Sequence, residues 1–359
     1  MKAFLRRHRG VHIWLAGVLA LFGVYWYAIS TTERANAVST VTQRLKDGYA
    51  RLWYLFPFSV VEWFYVAFIL GMGAWLAVLF YRLRTWKGRR LQGAYGCVMG
   101  MLCLWLTARG LYCVGWGVNY YADGFQEKSG IYAQPVSVEE LTRVTAYFAE
   151  MVAVTADQVP RDENGVFAVP REEIFAASTG VYDNLTEEFP FLDREDRVPK
   201  RMFFSRLFSA MNFTGFYSPY TGESSLNVDS PACLLPANIA HELAHQRGIA
   251  SEQECNFLAI AAATSSDLAA YQYSGYLMGY IQLSNALYRA DYDSWAAYRS
   301  GLPEYVQADL RYHSAYWAQF DGLTAEVSTR IYDSSLKSYG QSDGIQSYGT
   351  VVDLLAAYY

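Results

Sequence analysis

The sequence predicts a mainly α-helical protein in which three N-terminal transmembrane helices precede a mostly helical α+β domain outside the cytoplasm. Three observations lead to this fold class. Three apolar runs of membrane length lie in the first third of the 359 residues, the charge changes sign after them, and a helix with two histidines lies in the later part. We therefore divide the chain into a membrane anchor, residues 1–118, and a second domain, residues 119–359.

Three apolar runs are long enough to cross a bilayer, which takes about 20 residues of helix. They cover residues 11–30, 56–81 and 91–118. Ala35-Asn36-Ala37, after the first run, resembles a signal-peptidase site, but Glu33 and Arg34 separate it from a run that is long for a signal peptide. We therefore expect all three runs to remain in the protein and to contact the lipid bilayer.

The two parts of the chain differ in the sign of their charge. Residues 1–117 contain 14 Lys and Arg against 3 Asp and Glu, whereas the remaining residues contain 15 against 31. An acidic domain lacks the cationic face that phosphate binding needs, so we expect no nucleic-acid partner.

The basic residues also predict the orientation of the chain. They cluster at the N-terminus and in the link between the second and third runs, which contains Arg82, Arg84, Lys87, Arg89 and Arg90. Under the positive-inside rule both segments are cytoplasmic. Three crossings then place the acidic domain outside, in a multi-pass protein of the cell membrane.

Local signals in the second domain predict helices and one extended segment. Ser137-Val138-Glu139-Glu140 is a capping box that opens a helix to about Gln158, and Pro170 opens a second helix. Residues 202–208 are compatible with a strand. Residues 215–227 combine turn signals with an extended tail, which is either a surface loop or a cleft wall that pairs with a substrate backbone.

Residues 268–288 form a second kind of apolar stretch, without a single charge. The length allows a fourth membrane crossing. However, the stretch contains Gln, Ser and Asn side chains and many tyrosines in place of Leu and Val. These polar groups favour a buried helix of the second domain over a membrane helix.

Two cysteines, Cys233 and Cys255, bracket the histidine-containing helix. They could pair in an oxidising compartment, but two cysteines do not make a disulfide framework. The sequence therefore leaves a Cys233–Cys255 bridge open and favours free thiols.

The motif HExxH occupies residues 241–245. On a helix, spacing of four residues stacks His241 and His245 on one face, where two imidazoles can bind one metal ion. Glu242 lies at the edge of that face and can act as the general base on a water molecule. Gly248 offers a left-handed end to the helix. These residues predict a single Zn²⁺ with His241 and His245 as ligands and Glu242 as the catalytic group.

A catalytic zinc takes three protein ligands, so a further ligand must follow. Ser251 and Glu254 form a second capping box, which starts a helix at Ser251 and leaves the carboxylate of Glu252 free. Glu252 is therefore our third ligand, and Glu254 is the alternative. Asn256 lies one turn after Glu252, where its amide can orient a histidine ligand.

Several motifs resemble known families. The glycine of HExxHxxG resembles the metzincin turn, although Ser251 stands where that family has its third histidine, and the ExxxN of Glu252 and Asn256 resembles the zinc-binding ExxxD helix of gluzincins. Three membrane runs, the segments YSPYTGESSLN and LPANIAHELAHQRGIASEQECNFLA, and the closing SYGTVVDLL together resemble the bacterial domain of unknown function 3810. This resemblance implies a membrane-anchored, zincin-like metallopeptidase domain without a known substrate.

The resulting hypothesis is a zinc metallopeptidase that hydrolyses peptide bonds outside the cytoplasmic membrane. His313 is a candidate for stabilising the oxyanion, and Arg247 is expected to pair with an acid at the end of the helix. The first alternative is a non-catalytic receptor or scaffold with a zinc-stabilised exterior domain. The second is an intramembrane protease, which the polar residues of the HExxH segment disfavour.

Overall fold

The computed structural model describes residues 2–85, 90–339 and 348–359. Lys87 and Arg89 of the predicted basic link lie outside the described residues. The chain forms two compact units, one comprising the residues up to Ala122 together with Ser218–Gly222, the other Asp123–Tyr217 and Glu223–Tyr359. We describe each unit by itself.

Helices are the regular secondary structure of the first unit in its described part. Its helices are α1 (Lys2–Arg7), α2 (Arg9–Ala28), α3 (Thr32–Trp53), α4 (Val60–Thr85) and α5 (Arg90–Gly115), followed by a 3₁₀ turn at Gly117–Tyr121. Among the described residues, α2, α4 and α5 are the helices long and apolar enough to cross a membrane. The three predicted membrane runs thus correspond to three helices whose ends differ from the predicted ends by a few residues.

Glycines allow the membrane-type helices to approach one another closely. A Cβ atom at Gly110 would lie 2.8 Å from the side chain of Leu21 on α2, and one at Gly100 would lie 2.7 Å from Trp75 on α4. The hydrophobic effect does not drive association between helices in lipid. Small residues at such crossings let the helices pack closely, so that van der Waals contacts stabilise the association.

Helix α3 has three distinct faces, and sequence analysis did not predict it. Its buried face contains Ala35, Ser39, Lys46 and Ala50. A second face exposes apolar side chains, with Val41, Leu45 and Leu52 each more than half exposed. Charged residues, including Arg44 and Arg51, follow on the third face. An exposed apolar row beside a charged row is typical of helices that lie in the membrane interface.

The second unit is mostly helical with a small sheet, which confirms the mainly α fold class. Its helices are α6 (Phe125–Ser129), α7 (Val138–Ala156), α8 (Arg171–Ala176), α9 (Asp183–Glu188), α10 (Ser205–Ala210), α11 (Leu235–Gln246), α12 (Glu252–Ser265), α13 (Ala269–Ala290), α14 (Tyr292–Gly301), α15 (Glu304–Ala318), α16 (Leu323–Lys337) and α17 (Tyr348–Tyr358). Ser137 is the N-cap of α7 as predicted, because its hydroxyl accepts from the Glu140 amide, but the Glu140 carboxylate bonds to Arg143 and does not return to the cap.

Helix α13 lies in the core of this unit and includes the uncharged stretch 268–288. It packs against α7, α11 and α12, and it buries Tyr271, Tyr273 and Tyr280 almost completely. The hydroxyl of Tyr271 donates to the carbonyl of Ile174 at 2.8 Å. The hydroxyl of Tyr273 likewise donates to the carboxylate of Asp309, and such bonded hydroxyls explain how these two tyrosines replace leucine in the core.

The sheet has three short strands in the order β1-β3-β2. Strands β1 (Lys200–Arg201), β2 (Gly215–Tyr217) and β3 (Ser224–Leu226) pair so that β1 is parallel and β2 antiparallel to the central β3. The expected strand at 202–208 is wrong, because most of it forms α10. Its apolar residues recur one helical turn apart, at Phe203 and Leu207, and both are exposed.

Candidate metal centre

Helix α11 carries the HExxH motif and is buried on nearly every side. Ile239, Ala240, Leu243 and Ala244 have no exposed surface, so the helix is fixed by packing. The helix ends at Gln246, and Gly248 adopts φ +86°, the left-handed conformation that the sequence predicted.

Helix α12 begins after a connection of five residues and returns beside α11. The side chain of Ser251 accepts from the Glu254 amide, which makes Ser251 the N-cap and places Glu252 at the first helical position. The short turn and the cap therefore bring the Glu252 carboxylate opposite the two histidines. This is the geometry that the capping pattern predicted.

Three side chains meet at this place: His241, His245 and Glu252. Their candidate ligand atoms all lie within 4.8 Å of one another. His241 Nε2 lies 3.2 Å from Glu252 Oε2, and His245 Nε2 lies 3.6 Å from Glu252 Oε1. Tetrahedral zinc with bonds of about 2.0–2.1 Å requires ligand atoms about 3.3–3.4 Å apart. The spacing therefore fits one small tetrahedral cation.

Hydrogen bonds fix both imidazoles in the orientation that a metal needs. Nδ1 of His241 lies 2.9 Å from Oδ1 of Asn256, and Nδ1 of His245 lies 2.8 Å from the carbonyl oxygen of Ile249. Both partners are acceptors, so each Nδ1 donates its proton, and in the neutral imidazole the lone pair lies on Nε2, which faces Glu252. Asn256 therefore lies where sequence analysis expected it.

The catalytic candidate, Glu242, is only 4% exposed. Its Oε2 atom has no hydrogen-bond partner among the described residues. Burial raises the pKa of Glu242 to about 8, with the charge of Glu252 adding to the effect and His241 opposing it. Strand β2 passes close to this carboxylate, because a Cβ atom at Gly215 would lie 2.6 Å from Glu242 Oε1. A buried carboxyl of this kind suits proton transfer near neutral pH.

Glu252 is ionised at the pH at which Glu242 is protonated. Burial alone would raise the pKa of Glu252, but the nearby His245 and His241 and a hydrogen bond from Tyr332 lower it to about 2. Conversely, burial disfavours charged His241, whereas the bond to Glu252 outweighs burial and raises its pKa. The pKa values of the two carboxyls are therefore well separated, which distinguishes an ionised ligand from a group that gains and loses its proton near neutral pH.

Tyr332 is the residue at this site that sequence reasoning missed. It lies on α16, and its hydroxyl donates to Glu252 Oε1 at 2.5 Å. The chain contains 30 tyrosines, and no spacing connects this one to residues eighty positions earlier. Only the fold identifies it.

Glu254, the alternative ligand, points away from the cluster. Its carboxylate accepts from the backbone amides of Phe125 and Gln126 at 2.9 and 3.2 Å, at the start of α6. The expectation that this side chain bonds back to its own cap is therefore wrong. The first backbone amides of α6 have no acceptor within the helix, and the nearby Glu254 carboxylate accepts their hydrogen bonds.

Two further predicted residues have other roles. Arg247 forms the expected ion pair, as its guanidinium makes two bonds to the carboxylate of Asp196 and lies 3.7 Å from the Tyr182 ring centroid. His313 accepts from the indole of Trp317 on its own helix at 3.0 Å, and burial lowers its pKa. No described contact connects His313 to the cluster.

Cys233 and Cys255 are both buried free thiols. The Sγ atom of Cys255 lies 3.3 Å from Nδ1 of His245, so this thiol packs against the rear of the histidine. A disulfide between the two residues is therefore absent from the structure.

The profile of the family described as protein of unknown function (DUF3810) matches residues 39–356, which is most of the chain. No curated protein and no solved structure is significantly similar to the sequence.

Proposed function

The chain belongs to the DUF3810 family, and from this premise we propose that it is a zinc metallopeptidase held in a membrane by its first unit. The observation that carries the proposal is the cluster of His241, His245 and Glu252, whose spacing suits a tetrahedral ion. Two imidazoles and one carboxylate leave a fourth position for water, as catalytic zinc sites do.

The Glu242 carboxyl, which has an oxygen without a described hydrogen-bond partner, favours a catalytic metal site over a purely structural one. Zinc in this position would polarise a substrate carbonyl and lower the pKa of a water molecule. Glu242 has one buried oxygen without a described partner, so it can accept the proton of that water and return it to the leaving amine. A structural site gains nothing from a buried, unpaired carboxyl, which costs desolvation energy.

Strand β2 supports a peptide as the substrate. It is at the end of the sheet order, antiparallel to β3, and its Gly215 lies against the carboxylate of the base. An extended peptide can add to such an edge by backbone hydrogen bonds. We therefore propose that β2 orients the substrate so that its scissile carbonyl faces the cluster.

We place the second unit on the outer side of the cell membrane. The support is the basic composition of the N-terminus and of the segment between α4 and α5. Alkaline phosphatase and green fluorescent protein fused separately to the C-terminus test this orientation. We expect the phosphatase fusion to be active and the green fluorescent protein fusion to be non-fluorescent. An inactive phosphatase fusion together with a fluorescent green fluorescent protein fusion would contradict an exterior domain.

The competing function is a non-catalytic receptor whose exterior domain zinc stabilises. The decisive experiment measures zinc content and cleavage of a peptide library by the full-length protein in detergent. Glu242→Gln should keep zinc and lose cleavage, whereas Glu150→Gln, at an exposed site on α7, should keep both. Wild-type protein with zinc but without cleavage of any peptide would favour the receptor, and equal cleavage by Glu242→Gln would remove the assigned base.

A further inference from the structure

Helix α16 contributes Tyr332 to the cluster from a distant part of the sequence. We propose that Tyr332 is a positioning residue that holds Glu252 as a one-oxygen ligand and thereby keeps a coordination position open for water. The inference rests on the proposed zinc site and adds a function for α16.

The two carboxylate oxygens of Glu252 have different surroundings. Oε1 accepts the Tyr332 hydroxyl at 2.5 Å, within the range of strong, charge-assisted bonds. Oε2 is the oxygen nearer to a histidine, 3.2 Å from His241 Nε2, whereas Oε1 is 3.6 Å from His245 Nε2. The phenol therefore occupies Oε1 and leaves Oε2 as the oxygen that is freer to bind a metal ion.

Removal of the phenol would remove this distinction. A carboxylate with both oxygens free can bind a metal through one oxygen or through two. Binding through two raises the coordination number and takes space that a water molecule needs at a catalytic zinc site. Tyr332 thus favours the lower coordination number by a hydrogen bond to one of the two carboxylate oxygens.

The position of Tyr332 depends on a lightly buried helix. Leu336 is the residue that α16 buries, whereas Leu323, Val327 and Ile331 are exposed. The ring of Tyr332 packs edge-on against Phe213, with 5.5 Å between ring centroids. The ring contact therefore supports the packing of the phenol, whereas the hydrogen bond fixes its hydroxyl on Glu252 Oε1.

Substitution of cobalt for zinc measures the predicted change in coordination number without relying on enzymatic activity. Co²⁺ in a tetrahedral site absorbs visible light more strongly than in a five-coordinate site, so the spectrum reports how Glu252 binds. The experiment titrates Co²⁺ into full-length wild type, Tyr332→Phe, Phe213→Leu and a matched control, Tyr312→Phe, at an exposed tyrosine of α15.

Tyr332→Phe is expected to bind cobalt with weaker, shifted visible bands and to lose zinc affinity by about 10- to 100-fold, the usual effect of removing such a partner. Tyr312→Phe should match wild type. Phe213→Leu should keep the wild-type bands, because it loosens the packing and retains the phenol. Wild-type bands in Tyr332→Phe would overturn the positioning role while leaving the zinc site intact, whereas absence of cobalt binding by wild type would overturn both.

Discussion

Asn256→Ala removes the acceptor that orients His241, and it should weaken zinc binding without removing a ligand. The bond between His241 Nδ1 and Asn256 Oδ1 is 2.9 Å long, and the histidine side chain is 14% exposed. A mostly buried donor that loses its partner costs about 1–3 kcal/mol. Since about 1.4 kcal/mol corresponds to a tenfold change in Kd, we expect a rise of roughly 10- to 100-fold.

The assay is competition for zinc between the full-length protein and a chromophoric chelator, with circular dichroism as a check on folding. Asn256→Asp retains an oxygen acceptor, so it should bind zinc at least as tightly as Asn256→Ala and close to wild type. Asn285→Ala is the matched control, because Asn285 is exposed near the C-terminal end of α13. A zinc Kd for Asn256→Ala within twofold of wild type would refute the role of this amide.

Two further predictions concern packing and membrane contact. Gly279→Ala should lower the free energy of unfolding by about 1–3 kcal/mol, because its Cβ atom would overlap the ring of Phe148. Gly301→Ala is the control and should leave the free energy of unfolding unchanged, because a Cβ atom there meets open space. Denaturant unfolding of the full-length protein measures both variants. In liposomes, an environment-sensitive fluorophore at Leu45, on the apolar face of α3, should be shielded from an aqueous quencher. The same fluorophore at Asp47 should be quenched. Equal quenching at the two positions would contradict an interfacial helix.

Residues that act within one or two helical turns could be predicted from the sequence. HExxH spacing, the glycine stop and the Ser251 cap together placed Glu252 opposite the histidines, and the i, i+4 relation placed Asn256 beside it. These features depend on local backbone geometry, which is a property of a short segment. The membrane helices were predictable for the same reason, since length and apolar composition define them.

Contacts between distant segments could not be predicted in this way. Tyr332 reaches Glu252 from α16, and Glu254 caps α6 about 130 residues earlier in the chain, so each partner depends on the whole fold. Helix α3 was missed because its charged residues interrupt the apolar run that a membrane search requires, although its three-sided pattern is present in the sequence.

The most direct test of the central claim is zinc stoichiometry in Glu252→Ala and Glu254→Ala, measured on full-length protein by elemental analysis after gel filtration. One zinc per chain is expected for wild type and for Glu254→Ala, whose carboxylate bonds to α6, and loss of zinc is expected for Glu252→Ala. Equal zinc retention by Glu252→Ala and wild type would contradict the assignment of His241, His245 and Glu252 as the metal site.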